Sequence, residues 1–465
     1  MSIYKPCDIR GNSNTELTPE LYRSWGRALG GRVEPAAKFV VGGDVRGSTP
    51  RFLAGLVEGL CLAGVDVVDL GILPTPMIYY ARHRLDAAAC AIVTASHNPS
   101  RINGLKWMVG QHPPNPEEVD ALRRQTETQD FERSGGRPSA PRTVDVTSDY
   151  VAWLQETWVD ALHAQRHIVL DPMHGCWAGK ARRYLQAIFP QCLFSAVHDT
   201  PDATFAGRDP DCSRAGLLGE LCEEVYGRRA HLGIAFDGDG DRMTMVDNQG
   251  MVLTAEEATW LLLESFGAGL QKQRFVYDLK FSDRVAETAQ RLGAEPVVER
   301  SGHAFIRTRM IECGALFGAE ISGHYFFGAL SGGDDGLFAA CRVIAMLAQT
   351  ETTLAEFRRR CPAVFMTPDL RLRLQPAAQQ EVIERVRAAW SEYPQRSVDG
   401  VRIDLPGGWA LVRRSVTEPA LTFRFESADR PGLDHLVRRF CDTLGEFGDR
   451  LWAEHEAAVR NSSAG

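Results

Sequence analysis

At 465 residues, with 44% hydrophobic and 24% charged residues and a formal net charge of −8, the chain has the make-up of a globular protein several domains long, which excludes wholesale disorder and a fibrous fold. The acidic balance disfavours an unspecific nucleic-acid binder but leaves small phosphorylated substrates open, because a phosphate site needs only a few focused cations. No run of about 18 apolar residues offers a membrane span, and the start M-S-I-Y-K-P-C-D-I-R-G lacks a signal-peptide stretch, so a cytoplasmic protein is expected. The eleven cysteines are scattered without any C-x-x-C, many of them inside apolar runs such as those holding Cys61 and Cys90, and read as buried reduced thiols.

In chain order, K-F-V-V-G-G-D-V at 38–45 reads as a buried strand ending in Gly and Asp, and Ser48-Thr49-Pro50 supplies a helix N-cap and an early proline. Phe52, Leu53, Leu56, Val57 and Leu60 form one apolar helix face, Gly64 ends it, and Val65–Leu70 is the next strand. A further apolar run at 87–93 ends at Thr94-Ala95-Ser96. Strand, helix, strand predicts an α/β fold with a parallel or mixed sheet. The pattern returns in His167–Pro172 and Arg274–Asp278, so strand-closing aspartates stand at 44, 171 and 278, 127 and 107 residues apart. That spacing predicts three similar α/β domains with mixed sheets. The polar stretch 129–144 reads as a linker. After about residue 361, short strands around Val364–Met366, Leu370–Leu374 and Leu421–Phe425, with helical patterns between and after them, predict a smaller α+β domain, and the final N-S-S-A-G reads as a frayed tail. The expected domains are 1–145, 146–252, 253–360 and 361–465.

Three motifs carry chemistry. In the first, T-A-S-H-N-P at 94–99 followed by N-G-L-K at 103–106, an apolar strand delivers Ser96 onto a tight turn beside His97, with Lys106 ten positions on. A serine hydroxyl needs an activator or a charged environment to act as a nucleophile, and neighbouring cations suit one that carries a phosphoryl group. The G-x-S-x-G elbow of a serine hydrolase is missing. In the second, G-I-A-F-D-G-D-G-D-R at 233–242, a strand runs into Asp237, Asp239 and Asp241 with glycines between. Three such close carboxylates repel one another without a cation, and hard oxygen ligands select magnesium, calcium or manganese. An EF-hand is excluded, because its Gly and Glu positions hold Arg242 and Asn248 and the preceding segment reads as strand. Three ligands leave coordination positions open, one of which suits a phosphate oxygen on Ser96. The third motif is a pair of loops: G-A-E-I-S-G-H at 318–324 offers groups for sugar hydroxyls, and R-R-S-V-T-E-P at 413–419, with Arg424 beyond it, offers guanidinium forks and hydroxyls for a phosphate.

Together these motifs, in this order, resemble the alpha-D-phosphohexomutases of the phosphomannomutase/phosphoglucomutase type. C-D-I-R-G near the start, S-G-H-A-F-I from Ser301 and G-G-D-D-G from Gly332 support the resemblance, which spans Asp8 to about Glu426. It implies four domains around a central active-site cleft and a mutase that moves a phosphoryl group between two hydroxyls of a mannose and/or glucose phosphate, through a phosphoserine and a reoriented hexose 1,6-bisphosphate. It further implies Ser96 as phosphoserine and metal ligand, Asp237, Asp239 and Asp241 on one Mg²⁺ per chain, and Arg10, His97, Lys106 and Arg242 around the phosphoserine. Lys280 and His303 would lie near the sugar, with His303 or Lys106 as the base. Glu320 and Ser322 would read hydroxyls with His324 beside them, and Arg413, Ser415, Thr417 and Arg424 would cradle the non-reacting phosphate. The partners implied are small hexose phosphates, with no nucleic acid or membrane, and a monomer or homodimer. Cys7, Ala319, Arg414 and Val416 depart from the family pattern. Val416 bears most on the phosphate cradle, since a β-branched residue resists backbone conformations open to Gly and Asn. Phosphoglucosamine mutase is the close alternative, although Ile321 resembles the Met of the phosphomannomutase type more than the Gln of the glucosamine type. A catalytically silent sugar-phosphate binder and a metal-dependent phosphatase are the others.

Overall fold

The computed structural model describes residues 2–131, 140–163, 165–415 and 419–463. Alternation along the strand Lys38–Gly43 sets the first layer. Phe39 and Val41 face one way, with Ala89, Ala91 and Val93 of the neighbouring strand, onto Tyr22, Trp25, Phe52 and Leu56 of the helices Pro19–Gly30 and Thr49–Leu62. Val40, Cys90 and Ile92 face the other way, onto Met77, Ile78 and Ala81 of the helix Thr75–Arg84. Burial on both faces is why these strands read as unbroken apolar runs. The second face belongs to a core that continues through Leu170, Ile234, Phe275 and Phe338, so the first three domains share one apolar interior, whereas the C-terminal domain has its own around Leu372, Val412 and Phe423.

The three α/β sheets repeat one topology. In the first, the order Ile102–Val109, Ala89–Val93, Lys38–Gly43, Asp66–Ile72 is flanked by Ile9–Asn12 and Arg142–Thr143. In the second it is Met243–Asp247, Leu232–Phe236, His167–Asp171, Leu193–Ala196. In the third it is Tyr325–Phe327, Phe317–Ala319, Arg274–Asp278, Glu295–Glu299, with Gly333–Asp334 outside. Each time a strand closed by an aspartate lies between two parallel neighbours, and one neighbour turns back into an antiparallel partner. The aspartates at 44, 171 and 278 each accept the backbone N–H two residues on, at 3.1, 2.9 and 3.0 Å. This is one turn device used three times, as the spacing predicted. The fourth sheet is wholly antiparallel, and Gly408–Arg414 and Ala420–Ser427 form its central hairpin.

Some local expectations are corrected. Ser48 stands at the N-cap position but its side chain makes no capping bond; its hydroxyl instead accepts from Asn103 Nδ2 at 2.8 Å. The linker at 129–144 is not featureless: Arg142–Thr143 pairs with Val68 and Asp69 as an edge strand, and residues 132–139 lie outside those described. The C-terminal tail is helical through Ser463, within the helix Gly448–Ser463. Among the described residues no helix is long and apolar enough to cross a membrane.

The helices Pro19–Gly30 and Thr49–Leu62 pack backbone to backbone. A Cβ on Gly59 would meet Arg23 O at 2.0 Å, and one on Gly26 would meet Leu56 O at 2.3 Å. The obstacle in each case is backbone, which cannot rotate away. Gly59→Ala should therefore push the two helices apart and cost about 1–3 kcal/mol, seen as a lower midpoint in chemical denaturation. An unchanged midpoint would refute the close approach.

Candidate active site and metal centre

All four motifs occupy the same kind of place, the turn of a hairpin. Ser96 follows Ala89–Val93, the three aspartates follow Leu232–Phe236, Glu320–His324 follows Phe317–Ala319, and the arginine loop follows Gly408–Arg414. In the third hairpin Ala319 is an ordinary strand residue paired with Tyr277 and Tyr325, so its methyl group is accommodated without backbone strain.

Ser96 has φ 52°, in the left-handed region that non-glycine residues avoid. Two contacts hold it there. Its backbone N–H donates to Thr94 Oγ1 at 2.9 Å, and its carbonyl accepts from Arg46 Nη2 at 2.7 Å. Arg46 is fully buried, also donates to the carbonyls of Asn98, Pro99 and Ile102, and pairs with Asp44 at 2.9 Å. The motif search did not single out Arg46; the signal for it is its place two residues after the strand-closing Asp44.

The Ser96 hydroxyl donates to Asp237 Oδ2 at 2.7 Å and lies 3.3 Å from His97 Nδ1. The first and second motifs, 141 residues apart, are therefore in direct contact. Asp237, Asp239 and Asp241 are buried and bring ligand oxygens within 4.8 Å of one another. Burial, and then repulsion by the other acids, push Asp237 and Asp241 above the usual carboxylate range. Burial opposes ionisation of Asp239 too, but Lys106 outweighs it and holds that carboxyl low. Lys106 Nζ donates to Asp239 Oδ2 at 2.8 Å and to Asp241 Oδ2 at 2.6 Å. Thr75, which no motif included, and Thr94, which opens the T-A-S-H-N-P motif, add hydroxyl bonds to Asp239 Oδ2 at 2.8 and 3.2 Å. Asp239 Oδ1 and Asp241 Oδ1 remain buried without a hydrogen-bond partner. Unsatisfied carboxylate oxygens in an all-oxygen set fit a hard divalent cation.

A second acidic cluster, Asp241, His324 and Asp334, lies alongside. Arg242 Nε donates to His324 Nε2 at 2.8 Å, so the ring proton is on Nδ1, which donates to Asp334 Oδ2 at 2.7 Å. Neither ring nitrogen keeps a lone pair for a metal. Burial, then its charged neighbours, bring His324 down to about 3, and burial and Lys106 bring His303 down to about 3 as well. Burial and Arg242 depress His97. The three imidazoles around the carboxylates are thus neutral near pH 7. Arg10 reaches the serine loop through Asn98 Oδ1 at 2.6 Å and pairs with Asp8 at 2.8 Å.

On the third domain, Glu320 Oε2 and Ser322 Oγ are buried and unpartnered. Burial, then the Asp278 charge, push Glu320 up to about 7. Lys280 Nζ lies 3.3 Å from Asp369, whose other oxygen is 3.4 Å from Arg424 Nη1. Asp369 thus joins a third-domain cation to a fourth-domain one. Trp409 and Glu426 with Ser282, and Arg402 with Asp283, complete that seam. Arg413 pairs within its own domain, with Asp399 at 2.6 Å, and the Ser415 N–H closes its hairpin on Ala420 O at 2.8 Å. These two are not drawn into the serine–aspartate cluster. Arg414 turns out to Gln380. Thr417 and Val416 lie outside the described residues.

Comparison with known proteins matches this frame domain by domain. Residues 2–133, 148–250 and 254–365 match the phosphoglucomutase/phosphomannomutase alpha/beta/alpha domains I, II and III, and 370–443 matches the C-terminal domain. A phosphomannomutase/phosphoglucomutase of Pseudomonas aeruginosa is 31% identical over 450 residues, covering 95% of each chain. A probable phosphoglucosamine mutase of Methanothermobacter thermautotrophicus is 33% identical over 436 residues, covering 91% of this chain and 93% of its own. The crystal structure of a phosphoglucomutase/phosphomannomutase family protein from Burkholderia thailandensis superposes with a TM-score of 0.86 at 28% identity, covering 95% and 96% of the two chains. With every domain matched in order and a relative above 30% identity along nearly its whole length, the chain belongs to the phosphoglucomutase/phosphomannomutase family.

Proposed function

We propose that the chain is a magnesium-dependent phosphohexomutase, which interconverts hexose 6-phosphate and hexose 1-phosphate, of mannose and/or glucose, through a phosphoryl group stored on Ser96 and a 1,6-bisphosphate that turns round between two half-reactions. The observation that carries this reading is the Ser96 Oγ contact with Asp237 Oδ2 at 2.7 Å. That contact is attractive only while Oγ bears a proton. Once Oγ is esterified, an anion faces the three carboxylates, and a cation between them becomes a necessity. Asp237, Asp239 and Asp241 would hold Mg²⁺, which when bound offsets negative charge on the transferring phosphoryl group.

The chain's own residues supply the rest. In the first half-reaction the bond from phosphorus to Ser96 Oγ breaks as one forms to the sugar hydroxyl oxygen, and that hydroxyl gives up its proton. His303 suits the role of base. It is neutral, and the negative phosphates that enter the site would raise it from about 3 towards a useful range. Lys106 suits it less: burial would lower its pKa, but Asp239 and Asp241 raise it well above the ordinary lysine value and keep it charged. The Ser96 oxygen released in that half-reaction takes up one proton in place of the one the sugar hydroxyl gave up, and His97 Nδ1, 3.3 Å away, is placed to accept the hydrogen bond of the reformed hydroxyl. Glu320 and Ser322, with unpartnered oxygens, are suited to sugar hydroxyls. Lys280 and Arg424 meet across Asp369 where two domains face each other, and with Arg413, Ser415 and Thr417 they would hold the phosphate that does not react. Reversing the intermediate and repeating the transfer returns the phosphoryl group to Ser96.

A glucosamine phosphate is the second reading, favoured by the name of the 33% relative. Coupled assays across mannose, glucose and glucosamine phosphates separate the two.

Ser96→Ala should reduce turnover by on the order of 10³-fold or more while leaving the circular dichroism spectrum unchanged; wild-type activity in that variant would end the proposal. Intact mass should show a population about 80 Da heavier that the variant lacks. Stripping divalent cations should abolish turnover and Mg²⁺ should restore it. Mg²⁺ should also raise the melting temperature of the wild type but not of Asp239→Asn, and an equal rise in both would remove the aspartates from the metal site.

Glu320 sets a pH dependence of stability in the cation-free, substrate-free chain. Its folded pKa of about 7 lies above the ordinary 4.5, so its contribution is full below the ordinary value and is lost as pH rises through about 7. The melting temperature should fall across that window, and Glu320→Gln should lessen the fall. An identical slope in both proteins would show that this carboxyl is not the source.

A further inference from the structure

A cavity of about 570 Å³ lies behind the serine–aspartate cluster, between the first and third domains. Tyr79, Arg82 and His83 of the helix Thr75–Arg84 line one side, Arg307 and Ile311 of the helix His303–Cys313 another, and Ser331 the rim. Arg307 is 5% exposed, and its Nε and Nη1 are buried without a hydrogen-bond partner. Its guanidinium stacks 4.3 Å from the Tyr79 ring centroid, which fixes its plane but satisfies no N–H. The Nε of Arg82 is likewise buried and unpartnered. A guanidinium cannot shed its proton, so a buried one with idle donors is costly unless a partner arrives. Two arginines and a histidine, against the single carboxylate of Asp86, surround a space of ligand size with an apolar wall, and this net positive lining describes a receptor for an anion.

The cavity is also one helical turn from the chemistry. Thr75, which donates to Asp239, is four residues before Tyr79, and His303 is four residues before Arg307, so each helix shows one end of the same face to the cluster and the next turn to the cavity. The Ser331 rim leads directly into Gly333–Asp334, and Asp334 accepts the His324 proton.

We propose that this cavity binds a small metabolite through an oxyanion group, carboxylate or phosphate, seated on Arg307 with Arg82 and His83, and that its occupancy steadies the two helices that present Thr75 and His303. The ligand is distinct from the sugar phosphate of the catalytic cleft.

Crystals of the full chain soaked separately in sodium phosphate and sodium malonate test this directly. Density for either ion within hydrogen-bond distance of Arg307 Nε or Nη1 is the expected result; phosphate alone points to phosphate esters, malonate alone to carboxylates. Water alone at Arg307 in both soaks overturns the proposal. In solution, whichever of phosphate and malonate is seen in the soak should raise the melting temperature of the wild type saturably, with a midpoint at least tenfold higher in Arg307→Met, whose stem still packs on Tyr79. Equal midpoints also overturn it. Should Arg307→Met fail to fold, Arg82→Gln takes its place in the titration, and the soaks decide independently.

Discussion

Three carboxylates with oxygens within 4.8 Å of one another, buried away from water, form the constraint to which the rest of the molecule responds. At an effective dielectric constant near 20, each ionised pair at that distance repels by about 3.5 kcal/mol, whereas a typical hydrogen bond returns only about 1 kcal/mol. The hydroxyls of Thr75, Thr94 and Ser96 therefore cannot hold the trio together alone. Positive charge is required, and Lys106 supplies one unit of it from the strand that returns from the serine loop. Lys106, with Arg242 3.8 Å from Asp237, still leaves three acids with an excess of negative charge, which is the physical reason a divalent ion fits here.

The same electrostatics explains why so much surrounding chemistry is neutral or internally paired. Histidines 97, 303 and 324 are uncharged chiefly because burial disfavours their charged form, and the nearby Lys106 and Arg242 repel a further cation. Farther out, Lys280 and Arg424 share Asp369, so neither cation is left bare where two domains meet. The fourth domain is attached to the third largely by such polar links, with a small apolar contact at Leu279, Trp409 and Leu411.

Much of this was legible in the sequence because it is local. Strand-closing aspartates announce themselves by an apolar run ending in Asp, and the recurrence at 44, 171 and 278 foretold three like domains. D-G-D-G-D is readable because all three acids lie within five positions. What stayed hidden is what folding brings together from afar. Arg46 looks like any loop arginine until it is seen threading four carbonyls of the serine loop. Thr75 has no motif about it, and Asp334, though it lies in G-G-D-D-G, had no role assigned from sequence; each matters because a helix start and a short edge strand end beside Asp239 and His324. Ser48 holds the N-cap position as read, but without a capping bond, since its hydroxyl accepts from Asn103 of the strand Ile102–Val109.

Every chemical motif here is the bend of a hairpin whose two arms are zipped together along their length. The arms carry the sheet's ladder and much of its apolar packing, so scaffold and chemistry are encoded largely by different residues. A substitution at an exposed position of a bend changes the groups presented there while the ladder beneath keeps its pairing. A lineage built on this plan can therefore diversify its diet one bend at a time.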